Sequence, residues 1–380
     1  MTSFDLSAID TPALVLDEAR MRANIRRLAE KLAPLDVVPR PHLKTAKSVE
    51  VARQLLAGGN GPATVSTLRE AEYFAAAGVR DILYAVGIAP GKLARVKALR
   101  DAGCDLAIVL DSAEQARAVA DAAAHMRDTF PTLIEIDCDG HRSGLRPDDP
   151  RLVEVGRILH DGGVELRGVM THAGDSYGAV GDEALAAFAE QERMAVVNAA
   201  RMLRDAGLPC PVVSVGSSPT AHFARNLDGV TEVRAGVYVF FDLVMAGIGV
   251  CELDDIAISV LATVIGHQRD KGRVIVDAGW MALSRDRGTA SQRVDQGYGV
   301  VCDEAGSPLP DLLVTGANQE HGIVELRPGS GAPLPELPVG TRLRILPNHA
   351  CATAAQFDEY HVLSADRPGE VLRWERMRGW

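Results

Sequence analysis

The chain reads as an α/β protein: a (β/α)8 barrel of the TIM type followed by a β-rich C-terminal domain. Three observations predict this. Between residues 37 and 240, eight short β-rich runs alternate with Ala-, Leu- and Arg-rich amphipathic stretches, the rhythm of a parallel barrel. Several of those stretches stop at a glycine, at 58, 78, 103, 162 and 207, and glycine accepts the left-handed cap of a helix C-terminus. After Phe241 helical periodicity nearly vanishes, and Gly and Pro gather between 328 and 340, as in all-β regions with exposed turns. The expected division is a barrel over 12–244 and a β-rich domain over 245–380, with residues 1–16 as the candidate source of a further strand for the latter. An open doubly wound sheet shows the same alternation, so counting strands leaves closure open.

Taken in order, the strand candidates are 37–39, 63–66, 81–86, 105–110, 132–136, 166–171, 211–215 and 233–240. Each is a short run of aliphatic and β-branched residues bounded by turn formers. Helical spacing of apolar residues marks 16–32 before the first strand, then 49–56, 68–77, 92–102, 113–126, 152–160 and 183–206. In the second domain 256–264, 273–276, 312–315, 341–345 and 360–363 are β-like, and 13–16 (ALVL) is the candidate N-terminal contribution.

At 380 residues the chain can build two domains with large cores. Its 47% hydrophobic and 24% charged residues are ordinary for a soluble globular protein. A net charge of −11 argues against a nucleic-acid or anionic-membrane surface. No apolar run reaches the roughly 20 residues a membrane helix needs, and residues 1–10 lack a signal-peptide pattern. The six cysteines are scattered with no CxxC pair, which suits reduced thiols in a cytoplasmic protein.

In a barrel, residues just past each strand share one rim. Here those are Lys44, Ser66, Thr67, Asp139, His141, Arg142, His172, Gly216, Ser217, Ser218, Gly236 and Tyr238. Lys44, among Pro41, His42 and Leu43, is placed for partial desolvation, which lowers a lysine's pKa and frees the amine to attack a carbonyl. The plain alternative is that Lys44 and Lys47 are surface lysines at a helix start. Gly216-Ser217-Ser218-Pro219-Thr220 can cradle a phosphate, since glycine admits close approach and amides and hydroxyls donate. A turn capping a helix explains that stretch equally well. No GxxxxGK[ST] or strand-linked GxGxxG is present, so a nucleotide is not its natural occupant. His172 could stack on a cofactor ring or be a hydrogen-bonded rim histidine, and Arg142 could donate to a phenolate or be an exposed turn residue.

The second domain carries Pro347-Asn348-His349-Ala350-Cys351. On an extended strand residues i and i+2 face one side, so His349 and Cys351 could share an ion. Two protein ligands make an open site suited to a Lewis acid; a buried cysteine beside a satisfied histidine is the alternative. Glu320 or His321, in Gln319-Glu320-His321-Gly322, could support that pair or be unrelated to it.

The segments PHLKTAKS, THAG, GSSPT, EVRAGVYVFFD, DAGWMALSRDRG, ANQEHG and PNHACAT together resemble the D-threo-3-hydroxyaspartate dehydratase/D-serine dehydratase group. That group belongs with D-threonine aldolases to the alanine-racemase-like, fold-type-III pyridoxal-phosphate enzymes. The similarity runs over nearly the whole chain in motif order. It implies a pyridoxal 5'-phosphate barrel, a β-domain, one divalent metal ion (Zn²⁺ or Mn²⁺) and a homodimer with the active site near a subunit boundary.

By that resemblance Lys44 matches the lysine that carries the cofactor, His172 the ring-stacking histidine, and Arg142 the arginine near the phenolic oxygen. Gly216, Ser217 and Gly236 fall on phosphate-binding turns, with Tyr238 just after, and Tyr177 matches a pocket aromatic; Ser218, in the same GSSPT turn, is a further cofactor-binding candidate. His349 and Cys351 match the metal pair. The aldolase branch typically has aspartate at the second metal position, so Cys351 favours dehydration. Where racemases carry a catalytic tyrosine opposite the lysine, this chain carries Trp280, which suits a one-base enzyme.

The implied activity is dehydration of a small D-3-hydroxy amino acid, D-threo-3-hydroxyaspartate to oxaloacetate and ammonia or D-serine to pyruvate. Its rivals are a D-threonine-aldolase-type retro-aldol lyase, a pyridoxal-phosphate carrier protein, and a lysine-based sugar aldolase without that cofactor.

Overall fold

The computed structural model describes residues 4–140 and 142–380. The chain divides into two compact units, Arg27–Gly236 with Gly379–Trp380, and the N-terminal segment through Arg26 with Val237–Arg378. Strand β1 (Ala13–Asp17) and helix α1 (Glu18–Leu32) open the chain. The alternating stretch follows: β2 (Val38–Pro39), α2 (Val49–Leu55), β3 (Ala63–Val65), α3 (Leu68–Ala76), β4 (Asp81–Gly87), α4 (Leu93–Asp101), β5 (Asp105–Leu110) and α5 (Ala113–Met126). It continues through β6 (Thr132–Ile136), α6 (Arg151–Asp161), β7 (Leu166–Thr171), α7 (Asp182–Asp205), β8 (Val212–Val215), α8 (Ser218–Phe223) and β9 (Glu232–Val233).

Strands β2 to β9 form one parallel sheet in the order β2-β9-β8-β7-β6-β5-β4-β3. Its two ends meet at a single bridge between His42 and Thr64. There Leu43 N–H donates to Thr64 O and Thr64 N–H to Pro41 O, each at 2.9 Å. The sheet therefore curls into a TIM-like barrel, and every strand end reaches one rim. Leu83, Ala107, Val109, Leu133 and Met170 pack inside it.

The 233–240 run is not a single strand. Only Glu232–Val233 pairs, and Val237–Val239 is a 3-10 turn. Ala235 O still accepts from His42 N–H at 2.8 Å, but beyond it the apolar residues are buried without a ladder partner, and apolarity alone does not make a strand. The expected cap at Gly162 is displaced by one residue: Gly163 takes the left-handed conformation, with φ +75°. At the other edge of the chain, Leu16 and Asp17 finish β1 rather than starting α1.

The second unit adds α9 (Leu243–Gly247), β10 (Ile258–Gln268), β11 (Arg273–Val276), α10 (Trp280–Leu283), β12 (Gly299–Cys302), β13 (Pro308–Ala317) and β14 (Gly322–Leu326). It ends with β15 (Arg342–Pro347), α11 (Ala350–Ala354), β16 (Glu359–Leu363) and β17 (Val371–Glu375). Its sheet runs β11-β14-β13-β12-β15-β10-β1-β16-β17, and β11 also pairs with β10. Six antiparallel strands thus close on themselves, and β1, β16 and β17 extend them. Alternate residues of β10, Val260, Ala262 and Val264, point into a core with Val276, Val314, Val324 and Ile345, the period-two pattern of a half-buried strand. Strand β1 sits between β10, antiparallel with Leu14 opposite Val260, and β16, parallel with Val15 opposite His361. No helix among the described residues is long and apolar enough to cross a membrane.

Candidate active site

Lys44 lies in the turn between β2 and α2, partly exposed. Its backbone N–H faces His42 Nδ1 at 3.4 Å, and His42 Nε2 lies 3.3 Å from Ser66 Oγ. Burial, followed by the charges of Lys44, Arg234 and His172, holds the His42 pKa well below the ordinary imidazole value. The ring is therefore neutral; with Nδ1 accepting, Nε2 carries the proton and donates to Ser66. Lys47 is not a free surface lysine. Its Nζ is 3.0 Å from Glu70 Oε1, and the buried Glu70 also accepts from Ser66 N–H at 2.7 Å.

His172 closes β7, and its Nδ1 donates to the carbonyl of Gly216. That bond fixes the ring plane and the tautomer. Burial and then the charge of Arg142 push its pKa down to about 3, although the Gly216 bond pulls the other way. Tyr177, in the 3-10 turn Gly174–Gly178, has its ring centre 6.2 Å from that of His172 at an angle of 44°. Arg142 is exposed, 3.6 Å from the buried Glu135; its neighbour His141 lies outside the described residues.

Gly216 follows β8. A Cβ there would fall 2.1 Å from Arg234 O, so no other residue fits without moving the backbone. Its N–H donates to Glu192 Oε1 at 3.0 Å, so Gly216 offers close approach rather than a free donor. Ser217 caps α8 by accepting from Thr220 N–H at 3.2 Å, as the helix-cap alternative expected. Ser218 is buried as the first residue of α8. Gly236 passes His42, whose Cβ would stand 3.1 Å from an added methyl. Tyr238, two residues on, is buried, and burial raises its hydroxyl pKa.

Two buried charged residues of this rim were not foreseen. Arg234 donates from Nε to Ser214 Oγ at 2.8 Å and from its terminal nitrogen to Thr171 O. Glu192 takes the amides of Ala173 and Gly216. Glu192 had a legible signal: it occupies the same stripe of α7 as Leu185, Ala189, Val196, Ala199 and Leu203, and a charge on an apolar stripe is seldom idle.

The candidate metal pair, His349 and Cys351, differs from expectation in its backbone. β15 ends at Pro347; His349 precedes α11 and Cys351 lies in that helix's first turn, so the two do not share the face of a strand. The buried Asp242 carboxylate accepts Ala350 N–H at 2.9 Å and turns the chain into a helix. Buried Asn348 anchors the approach, accepting from Thr289 Oγ1 at 2.6 Å. The side chains still meet. Burial opposes a charge on His349, but hydrogen bonds to Asp286 and Cys351 prevail and push its pKa up to about 11. Asp286 Oδ2 is the supporting group, and Glu320 and His321 are exposed near the β13–β14 turn. Among the described residues no group of three or more His, Cys, Asp or Glu side chains gathers to hold an ion. The protein can thus offer an N/S pair with other positions open, a donor set suited to a catalytic rather than a structural ion.

The chain matches the alanine racemase N-terminal domain over residues 16–244 and the serine dehydratase domain over residues 257–363. It belongs to the alanine racemase family. Pyridoxal phosphate fits this family and this rim. Lys44 and Arg234 act on both neutral imidazoles and Arg142 on that of His172, a field that suits an anionic ligand, and His172 presents a fixed flat ring. Among family members, D-threo-3-hydroxyaspartate dehydratase of Delftia sp. (strain HT23) is 58% identical over 378 residues, 99% of each chain. Its solved structure has a TM-score of 0.95 at 57% identity, covering both chains fully. A cysteine-to-alanine variant of that enzyme, solved in the metal-free form, has a TM-score of 0.96 at 57% identity, covering both chains fully. D-serine dehydratase of Dictyostelium discoideum is 29% identical over 95% of each chain, and D-threonine aldolase of Arthrobacter sp. 30% identical over 96% of this chain and 91% of its own.

Proposed function

We propose that this protein is a pyridoxal-phosphate- and divalent-metal-dependent dehydratase that converts D-threo-3-hydroxyaspartate to oxaloacetate and ammonia, with D-serine as a secondary substrate giving pyruvate. The observation that carries this reading is the 58% identity to the Delftia dehydratase over 99% of both chains. Bound pyridoxal phosphate supplies an electron sink for the α-carbon. Lys44 would hold it and act as the base that takes the α-proton, from one face only. His172 offers a neutral ring to stack on it, with Tyr177 beside that ring. Arg142 would donate to its phenolic oxygen, while Gly216, Ser217, Ser218 and Gly236, followed by Tyr238, would form the turns around its phosphate. His349 and Cys351 would hold one Zn²⁺ or Mn²⁺, which supplies a Lewis acid for the departing β-hydroxyl. The working form is a homodimer in the cytoplasm.

A retro-aldol reading has the support of the Arthrobacter relative, but Cys351 in place of the aldolases' typical aspartate favours dehydration. A carrier without chemistry has no use for the His349–Cys351 pair. The test is product analysis on D and L forms of threo-3-hydroxyaspartate, serine and threonine. Equimolar oxaloacetate and ammonia from the D-dicarboxylate are expected. Glycine plus an aldehyde without ammonia would establish the aldolase, and equal rates on both enantiomers would require a second base.

A further inference from the structure

Glu192 projects from the buried stripe of α7, 2% exposed. Its Oε1 accepts two backbone N–H groups at 3.0 Å each, one from Ala173 just past β7 and one from Gly216 just past β8. Its Oε2 accepts the hydroxyl of Thr220 at 2.6 Å. Thr220 Oγ1 lies 2.8 Å from Ser217 Oγ, which is 3.1 Å from Ser176 Oγ, and Ser176 donates to Ala173 O at 2.7 Å. His172 Nδ1 donates to the carbonyl of the same Gly216. The ring of His172 and the hydroxyl of Ser217 thus hang on one carboxylate. Docking a helix does not call for this arrangement. An apolar residue on the stripe would pack α7 without the desolvation of a charge, whereas a carboxylate matched to three donors fixes their separations.

We propose that Glu192 is a positioning residue: it holds the plane of His172 and the Gly216–Thr220 turn in one register and thereby sets the affinity of the rim for its phosphorylated cofactor. This rests on reading His172 and Ser217 as cofactor-binding residues. Glu192 touches neither cofactor nor substrate and acts through the two turns.

The claim makes reach, not charge, the decisive property. In Glu192→Gln the amide oxygen can accept both N–H groups while the amide nitrogen donates to Thr220, so all three contacts survive. In Glu192→Asp the charge survives, but a side chain one methylene shorter cannot span the three donors. Full-length protein freed of cofactor is titrated with pyridoxal phosphate, and the ring ¹⁵N signals of His172 are recorded without it. The dissociation constant is expected to stay within about threefold of wild type for Glu192→Gln. For Glu192→Asp it should rise roughly tenfold or more, with His172 losing its fixed Nδ1–H tautomer. Wild-type affinity and His172 signals in a folded Glu192→Asp protein would overturn the proposal, as would equal losses in the two variants. Should Glu192→Asp not fold, Thr220→Val removes the Oε2 partner and, with it, the Thr220–Ser217 hydroxyl contact; the constant should then rise about fivefold, and no change would count against the clamp. If wild-type protein binds no pyridoxal phosphate, the proposed function fails, and the His172 signals still decide the clamp.

Discussion

Oδ2 of Asp286 lies 2.6 Å from Nδ1 of His349. An ionised carboxylate only accepts, so Nδ1 keeps its proton, and an ion would take Nε2 by displacing the second proton that the raised pKa holds on the ring. The same pairing holds the Asp286 pKa below the ordinary carboxylate range, against the effect of burial. A ligand histidine held in this way keeps its tautomer and its orientation.

Asp286→Ala is therefore expected to weaken divalent-metal affinity by roughly 10- to 100-fold, measured by competition with a chromophoric chelator. Asp286→Asn, whose amide oxygen can still accept, should lose less. Absorbance of the bound cofactor should persist in both, because no step that attaches it involves His349. Unchanged metal affinity in Asp286→Ala would show that His349 and Cys351 do not form the site.

Lys44→Ala should leave a folded protein without the absorbance of the attached cofactor, and turnover should fall by about 10³-fold or more. Lys44→Arg should fail equally, since a guanidinium stays protonated and cannot act as a base. Circular dichroism establishes the fold, absorbance the attachment, and ammonia release the rate. A yellow, active Lys44→Ala protein would end the assignment.

His172 has a depressed pKa in the folded chain, about 3, against about 6.5 when unfolded. Between those values the unfolded chain binds the extra proton, so stability rises with pH through this window and is lost as pH falls. Above pH 6.5 the group contributes no slope. Cofactor-free protein should lose on the order of 1 kcal/mol per pH unit below 6.5 from this group. His172→Gln should flatten that part of a plot of Tm against pH; an unchanged slope would mean the ring is not buried neutral.

Gly216→Ala places a methyl 2.1 Å from Arg234 O, and the backbone of one turn must shift. Overpacking of this kind costs about 1–3 kcal/mol, and cofactor affinity should fall with it. Gly178→Ala is the control, since nothing stands within 4 Å of its added methyl, and its Tm should stay near wild type. Thermal unfolding of both variants separates a steric demand from ordinary loss of a glycine.

The barrel was legible because its helices and strands repeat local patterns: α5 and strands β5, β6 and β7 fall on the residues that spacing predicts. Strands β12, β14 and β17 were not foreseen. They are four or five residues long, and such pairings depend on partners distant in sequence. Lys44, His172, Gly216 and Ser217 were legible from their positions past strand ends. Arg234, Glu192 and Asp286 were not, because each is defined by what it reaches. Glu192 lies in mid-helix, 24 residues from Gly216 in sequence, and Asp286 63 residues from His349. The expected strand geometry of His349 and Cys351 failed for a similar reason: Asp242, 108 residues upstream of Ala350, bends that segment into α11.

Strand β1 has a consequence for how the molecule can be made. Leu14, Val15 and Leu16 are fully buried between β10 and β16, so a strand synthesised before the whole barrel belongs to the unit completed after it. Through some 240 residues of translation it has no ladder partner, while the intervening barrel can close behind it. Expressed without residues 4–26, the β-rich unit would present two long unsatisfied edges, and those edges invite pairing with other chains. Removal of this N-terminal segment, far in sequence from PNHACAT, should therefore yield aggregated protein rather than a trimmed enzyme.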